Sequence, residues 1–176
     1  MNNIVLIGFM GCGKTSVGMQ LAKKLAFQFA DTDQIIEENC KRTITSIFAE
    51  EGEAFFRKLE TDTIKEFIGK LSNTVLSVGG GLPIQPCNAE LLRQLGQVVY
   101  LQTSGETIIK RLSGDTTRPL LSGDHTEEKI DALLKARSPV YERAAHITVI
   151  TDGRKLSGII NEIIKRTGVS HEIISN

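Results

Sequence analysis

The sequence predicts an α/β fold in which helices cover both faces of a five-stranded parallel sheet. Five short apolar segments, each suited to a buried strand, alternate with longer segments whose apolar residues recur at helical spacing. The first apolar segment also runs directly into a glycine-rich turn that precedes a helical pattern. This alternation is typical of parallel sheets, because each parallel pair of strands needs a crossover connection.

Each strand and helix can be placed from its pattern. Strands are predicted at about residues 3–8, 28–30, 74–78, 98–101 and 146–150, and helices at about 15–25, 34–69, 88–95, 126–145 and 155–167. Thr103-Ser104-Gly105-Glu106 resembles a capping box, which predicts another helix starting there. The helical pattern in 34–69 is broken near 41–43 and at Gly52. We expect one domain over residues 1–168 and a tail at 169–176.

Composition and charge argue against several functions. The 176 residues carry 21 basic and 21 acidic side chains, so no global field favours nucleic acid or an anionic membrane. The cysteines, Cys12, Cys40 and Cys87, have no metal-binding spacing and suit a reducing compartment. The first residues lack the charge and apolar length of a signal peptide. We therefore expect a cytoplasmic monomer whose partners are small molecules.

The segment Gly8-Phe9-Met10-Gly11-Cys12-Gly13-Lys14-Thr15 separates the first predicted strand from the first predicted helix. Its order of Gly, four residues, Gly, Lys and Thr is that of a phosphate-binding P-loop. The glycines allow a tight turn whose N–H groups face phosphate oxygens, and the helix adds its positive end. Lys14 is expected to contact the β- and γ-phosphates, and the Thr15 hydroxyl to bind Mg²⁺. We expect the Cys12 thiol to be structural.

Asp31 and Asp33 follow the second predicted strand, where an extended chain would direct both carboxylates to one side. One carboxylate would suit a Mg²⁺ site and the other could orient a hydroxyl nucleophile, as phosphoryl transfer requires. The alternative is a plain turn in which Asp33 caps the following helix. The P-loop upstream favours the first interpretation.

Arg57 and Arg137 are candidate anion-binding residues. Glu60 follows Arg57 by three positions, so the two side chains can pair on one helix face. Such pairs are usually solvated. However, Phe55-Phe56 indicate an apolar pocket, at whose edge an arginine can bind a carboxylate with two hydrogen bonds. Arg137, on a later helix, is a second candidate of the same kind.

Two further segments complete the expected site. Gly79-Gly80-Gly81 follow the third strand as either a flexible turn or a place where backbone approaches a ligand; their entropy cost favours the second interpretation. The polar segment 113–124 is expected to be a mobile lid or disordered. Its Arg118, with Arg111 just before it, could act as an arginine finger. Because the strands are parallel, the segments following their carboxyl ends should share one rim of the sheet.

Taken together, these residues resemble the shikimate kinase family. The matching segments occur in family order and at family spacing over about residues 3–165. They are Gly8-Phe-Met-Gly-Cys-Gly-Lys-Thr15, Phe29-Ala-Asp-Thr-Asp33, Phe55-Phe-Arg-Lys-Leu-Glu60, Gly79-Gly-Gly81, Arg118-Pro-Leu-Leu121 and Arg137-Ser-Pro-Val-Tyr141. Cys12 stands where the family more usually has Ser, Ala or Gly.

The resemblance implies a P-loop kinase fold with strand order 2-3-1-4-5. It also implies a substrate-binding helical segment at about 33–62 and a closing lid at about 113–124. The implied reaction transfers the γ-phosphoryl group of ATP to the 3-hydroxyl of shikimate, on the route to chorismate and aromatic amino acids. ATP would be the co-substrate and Mg²⁺ the cofactor.

The resemblance further implies roles for individual residues. Shikimate would bind to Asp33, Arg57, Gly79 and Arg137, in a pocket lined by Phe48, Phe56, Glu60, Gly80 and Gly81. Thr15 and, through water, Asp31 would hold Mg²⁺. The nucleotide would contact Gly11, Cys12, Gly13, Lys14, Thr15, Ser16, Arg111, Arg118 and Arg154, with Arg111 and Arg154 bordering the adenine. The catalytic residues would be Lys14, Asp33 and Arg118, with Asp33 either deprotonating the hydroxyl or only orienting it.

Two alternatives remain at this point. The chain could be another P-loop small-molecule kinase, of the gluconate or nucleoside monophosphate type, whose acceptors demand other contacts. It could instead be a nucleotide-dependent switch. The absence of an Asn-Lys-x-Asp guanine-binding sequence argues against a switch.

Overall fold

The computed structural model describes residues 2–112 and 127–169 and confirms the predicted α/β fold. Five parallel strands form one sheet in the order β2-β3-β1-β4-β5, as the family resemblance implied. The strands are β1 (Ile4–Ile7), β2 (Gln28–Asp31), β3 (Thr74–Ser77), β4 (Gln97–Gln102) and β5 (Ile147–Ile150). The helices are α1 (Lys14–Leu25), α2 (Thr32–Cys40), α3 (Ile44–Phe67), α4 (Asn88–Leu95), α5 (Gly105–Leu112), α6 (Glu127–Ala144) and α7 (Leu156–Thr167), with a 3-10 turn at Leu82–Ile84.

Helices cover both faces of the sheet. Successive side chains of each strand point to opposite faces, so a strand that is apolar throughout needs a core on each side. Strand β1 shows this alternation within four residues. Ile4 and Leu6 pack into the core under α1 and α7, whereas Val5 and Ile7 pack into the core under α3, α4, α5 and α6. All four side chains are fully buried, as a central parallel strand requires.

The predicted substrate-binding segment 33–62 comprises most of α2 and much of α3. Its interruption at Gly52 is confirmed, since this residue has φ 83° and ψ 173° and splits α3 into two helical parts. A small apolar cluster centred on Ile36, Ile47 and Phe56 packs α2 against both parts of α3. This segment therefore has its own core beside the sheet.

Two helix caps differ from the residues named in the sequence analysis, where the Asp33 cap was the less favoured alternative and the capping box at Thr103 was expected. Helix α2 is capped by Asp31, whose Oδ1 accepts the N–H of Asp33 at 3.0 Å, so the interpretation of Asp33 as the cap is wrong. The cap of helix α5 is Ser104 and not Thr103, because Ser104 Oγ accepts the N–H of Thr107 at 3.3 Å. Thr103 does not cap the helix, since its hydroxyl pairs with that of Thr151 across the strand ends.

Some predictions fall on residues that are not described. The expected lid at 113–124, with Arg118, lies outside the described residues, and so does the tail beyond Val169. In residues 2–112 and 127–169, no helix is both long and apolar enough to cross a bilayer.

Candidate active site

Two adjoining cavities lie where the strands of the sheet end. The larger has a volume of about 430 Å³ and the smaller a volume of about 280 Å³. Met10, Asp33, Gly79 and Gly80 line both cavities, so these residues form a shared wall. The P-loop, the two aspartates and the triple glycine thus share one rim, as the sequence predicted.

The P-loop surrounds the smaller cavity. Gly11 and Gly13 line it with positive φ angles of 76° and 97°, which only glycine adopts without strain. Lys14 Nζ donates to the carbonyl oxygens of Gly8 at 2.9 Å and Phe9 at 3.1 Å, so the ammonium group lies over the loop. Thr15, Ser16, Asp31 and Arg111 complete the predicted lining of this cavity.

Among the described residues, two predicted nucleotide contacts, Cys12 and Arg154, lie outside the lining of the smaller cavity. The Cys12 side chain is buried in the core behind the loop, as expected for a structural thiol. Arg154 donates to the carbonyl oxygen of Ile150 at 3.0 Å and forms an ion pair with Glu162. Its contact with the adenine stays a prediction. Arg111, by contrast, donates to the Gly11 carbonyl oxygen at 3.2 Å and lies against the P-loop.

The smaller cavity contains oxygen ligands suited to Mg²⁺. Thr15 and Asp31 both line it, and so does Ser77, which is the register partner of Asp31 across β2 and β3. Among the described residues, no cluster of three or more His, Cys, Asp or Glu side chains could enclose a metal ion. A few oxygen ligands fit Mg²⁺, because this ion is usually bound through one or two carboxylates together with substrate phosphates.

The larger cavity brings together all the residues that the resemblance assigned to shikimate. They are Asp33, Phe48, Phe56, Arg57, Glu60, Gly79, Gly80, Gly81 and Arg137. Sequence reasoning missed Met10, Glu37, Ile44 and Thr45, which also line this cavity. Ile44 belongs to the apolar periodicity of the 34–69 helical pattern, and periodicity does not distinguish a pocket wall from a core.

Arg57 and Glu60 form the predicted pair on one face of α3. Arg57 Nη1 lies 2.7 Å from Glu60 Oε2, and the Arg57 side chain is 12% exposed while that of Glu60 is fully buried. The pair is therefore not a solvated surface pair. The guanidinium also lies over the rings of Phe56 and Phe48, 5.5 Å and 5.9 Å from their centroids. These contacts fix its plane at the edge of the larger cavity.

Glu60 carries a carboxyl group with a raised pKa. Burial raises this pKa to about 7 against the lowering effect of Arg57, and the charges of Asp33 and Glu53 raise it further. Its second oxygen, Oε1, is buried without a hydrogen-bond partner among the described residues. A Cβ atom on Gly79 would lie 2.6 Å from that oxygen and 2.7 Å from Asp33 Oδ1. Only glycine at position 79 leaves room for both carboxylates.

Arg137 enters the larger cavity from α6. Its guanidinium lies 5.6 Å from the centroid of the Phe9 ring, which belongs to the P-loop. One turn later on α6, the Tyr141 hydroxyl donates to the Gly80 carbonyl oxygen at 2.7 Å. On the other side, Thr32 Oγ1 accepts the Gly79 N–H at 3.1 Å. Sequence reasoning gave no role to Thr32 or Tyr141, although both lie in matching segments.

Comparison with known proteins gives one consistent family. The family model for shikimate kinase matches residues 10–167. A shikimate kinase of Francisella philomiragia is 42% identical over 161 residues, which cover 92% of each chain. The solved structure of a shikimate kinase from Acinetobacter baumannii in complex with shikimate has a TM-score of 0.88 and 40% identity, covering 94% of this chain and 92% of that one.

A more distant structure shows the shared fold alone. Deoxyadenosine kinase from M. mycoides with bound dATP has a TM-score of 0.60 at 17% identity, covering 94% of this chain and 99% of that one. Such a likeness is consistent with a P-loop kinase fold.

Proposed function

This chain belongs to the shikimate kinase family, and we propose that it transfers the γ-phosphoryl group of ATP to the 3-hydroxyl of shikimate. The observation that carries the proposal is the larger cavity, in which two arginines from different helices, Arg57 and Arg137, face one small space. That space adjoins the P-loop cavity through a shared wall. The acceptor and the γ-phosphate would therefore lie next to each other at this wall.

The acceptor would be held by its carboxylate and its hydroxyls at opposite ends. Arg57 would bind the carboxylate with a guanidinium whose plane is already fixed by Glu60, Phe48 and Phe56. Arg137 would supply the second cation, from above Phe9. Preorganised cations of this kind lose little freedom when the ligand binds, so they favour both affinity and orientation.

Asp33 would orient the attacking hydroxyl. It lines both cavities, and the capping of α2 by Asp31 leaves the Asp33 side chain directed at the shared wall beside Gly79. An ionised carboxylate there can accept the hydroxyl proton as the new O–P bond forms. Whether Asp33 takes the proton or only orients the group is decided by Asp33→Asn, which would keep near-normal kcat if positioning is enough.

The P-loop would stabilise the transferring phosphoryl group. Its N–H groups and the amino end of α1 would hold the phosphates, and Lys14 would move from the Gly8 and Phe9 carbonyls to the phosphate oxygens. Thr15 and Asp31 would hold Mg²⁺, which when bound neutralises charge on the β- and γ-phosphates. Arg111 lies close enough to the loop to contribute a further positive charge.

The alternative functions have less support. A gluconate-type or nucleoside monophosphate kinase would share the P-loop but need a different acceptor pocket. The relatives that match most of the chain are shikimate kinases, and the nucleoside kinase likeness shows the fold alone. A nucleotide-dependent switch is not favoured by any of these comparisons.

The proposal is tested by ADP release from ATP and Mg²⁺ with shikimate, gluconate, AMP or no acceptor. We expect release with shikimate only. Lys14→Met, prepared identically, should show almost no release and so exclude a contaminating kinase. Release with gluconate or AMP at a higher kcat/KM than with shikimate would overturn the acceptor assignment while leaving the P-loop argument intact.

A further inference from the structure

The triple glycine Gly79-Gly80-Gly81, here called the glycine wall, contributes Gly79 and Gly80 to the wall shared by the two cavities, and buried hydroxyls hold it from both sides. Thr32, fully buried at the start of α2, accepts the Gly79 N–H at 3.1 Å. Tyr141, fully buried on α6, donates to the Gly80 carbonyl oxygen at 2.7 Å. The Gly79 carbonyl oxygen in turn accepts the Leu82 N–H at 3.0 Å.

These bonds determine where the remaining amide groups point. A trans peptide is planar, and its N–H and C=O groups point in opposite directions. The Gly80 carbonyl points at Tyr141, so the Gly81 N–H points away from Tyr141. Within the described part of the chain, the N–H groups of Gly80 and Gly81 donate to no other residue. They remain available as donors to a ligand.

The Gly81 N–H lies beside the candidate carboxylate site. A Cβ atom on Gly81 would overlap the Arg57 guanidinium, which shows how closely the two groups approach. Gly81 lines only the larger cavity, whereas Gly80 lines both. Above Gly80, a Cβ atom would lie 3.3 Å from the Gly8 carbonyl oxygen and 3.7 Å from the Tyr141 hydroxyl, so the wall is also packed against the P-loop.

We propose that the Tyr141 hydroxyl is a positioning group for acceptor binding: by holding the Gly80 carbonyl it aims the Gly81 N–H into the larger cavity. Tyr141 lines neither cavity, so it acts through this peptide and through its side-chain hydrogen bond with Arg137. Because Arg137 lies one turn earlier on the same helix, Tyr141 also ties the Arg137 turn of α6 to the glycine wall. The inference rests on the proposed function, since it assigns the larger cavity to the acceptor.

A matched pair of variants tests the proposal. Tyr141→Phe removes the hydroxyl but keeps the ring. Tyr100→Phe does the same to the neighbouring buried tyrosine. The ring centroids of Tyr100 and Tyr141 are 5.2 Å apart, but the Tyr100 hydroxyl is hydrogen-bonded to Ser138 and not to the triple glycine. We expect Tyr141→Phe to raise the KM for shikimate about tenfold and to change the KM for ATP less than about twofold. Tyr100→Phe should leave both constants unchanged.

A second measurement reports the peptide orientation without turnover. In ¹⁵N-labelled free protein, the Gly81 amide signal should move in Tyr141→Phe and stay in place in Tyr100→Phe, because only the first variant frees the Gly80 carbonyl. An unmoved Gly81 signal, or an unchanged shikimate KM in Tyr141→Phe, would overturn the inference. Failure of the wild-type protein to phosphorylate shikimate would instead count against the proposed function, and the amide signal would still decide the role of Tyr141.

Discussion

The two cavities are built in different ways, although they share a wall. The smaller combines P-loop residues with residues at and after the ends of β2 and β3 and with Arg111, and its expected phosphate-binding groups are the backbone N–H groups of the P-loop. The larger is assembled from five parts of the chain: Met10 of the P-loop, α2, α3, the triple glycine and α6. Its cations are held by other side chains: Arg57 lies over the rings of Phe48 and Phe56 on its own helix, and Arg137 lies over the ring of Phe9 in the P-loop.

This difference separates general from specific functions. A phosphate site made of backbone is insensitive to most side-chain changes, so it can serve many kinases that share the fold. An acceptor site made of side chains held by tertiary contacts can be altered one residue at a time. The comparison therefore predicts that variants in the two cavities have separable effects on the two substrates.

The largest expected effect is on catalysis at the smaller cavity. Lys14→Met should lower kcat about 10³-fold, because it removes a cation that stabilises charge in the transition state. Shikimate binding to the free protein, measured by calorimetry, should stay within about twofold of wild type, since Lys14 does not line the larger cavity. Lys23→Met, an exposed lysine on the same helix, serves as the control. A parallel loss of shikimate affinity in Lys14→Met would show that the two sites are not separable.

The second largest effect is expected on acceptor binding in the larger cavity. Arg137→Ala should raise the KM for shikimate about 100-fold by removing a charged hydrogen-bond donor, and should leave the KM for ATP nearly unchanged. Arg143→Ala removes an exposed arginine from the same helix and should change neither constant. Steady-state kinetics with each substrate varied in turn gives the comparison. Normal shikimate KM in Arg137→Ala would remove this residue from the acceptor site.

A third effect concerns stability and pH. Glu60 has a folded-state pKa of about 7 against an ordinary value of 4.5, so the folded protein binds more protons than the unfolded chain between these values. Its contribution to the free energy of unfolding therefore falls as pH rises, by about 2 kcal/mol between pH 5 and pH 7. In urea unfolding, the free energy of unfolding of wild type minus that of Glu60→Gln should therefore decrease as the pH rises from about 5 to about 7.

The control for Glu60 is an exposed glutamate in an ion pair. Glu50 pairs with Arg42 at 2.8 Å on the surface of the molecule, and its pKa is lowered by hydrogen bonds from Ser46 and Arg42. Because that lowered pKa keeps Glu50 ionised across this pH range, the free energy of unfolding of wild type minus that of Glu50→Gln should not decrease with pH. A difference between wild type and Glu60→Gln that rises with pH, or stays flat, would contradict the burial argument for Glu60.

The smallest effect is expected at the edge of the nucleotide site. If Arg154 borders the adenine, Arg154→Ala should raise the KM for ATP a few-fold, about fivefold at most. Arg166→Ala is the matched control, because Arg166 pairs with the same Glu162 carboxylate at 3.1 Å. Equal KM values for ATP in the two variants would assign Arg154 a structural role only, as the partner of Glu162 just before the start of α7.

The sequence predicted local features better than distant ones. The P-loop and the pairing of Arg57 with Glu60 were predictable because they depend on spacing within a few residues. The identity of the larger cavity came from family resemblance, since no spacing links α3 to α6. The bond from Tyr141 to Gly80 spans 61 positions, and no local pattern could indicate it.

The two differences at helix caps, one from an expectation and one from an alternative that was not favoured, have a similar physical cause. Asp31 and Asp33 are both good capping residues, and the choice between them depends on where β2 ends and α2 begins. The displacement of the cap from Thr103 to Ser104 follows from the contact of Thr103 with Thr151 on the neighbouring strand end. In both cases tertiary placement selected between residues of equal local preference.

The most direct test of this account is a crystal structure of the protein with shikimate, ADP and Mg²⁺. The account predicts the shikimate carboxylate between Arg57 and Arg137, its 3-hydroxyl beside Asp33, and the diphosphate in the P-loop across the Gly79-Gly80 wall. A shikimate carboxylate bound elsewhere, or a 3-hydroxyl directed away from Asp33 and the P-loop, would contradict it.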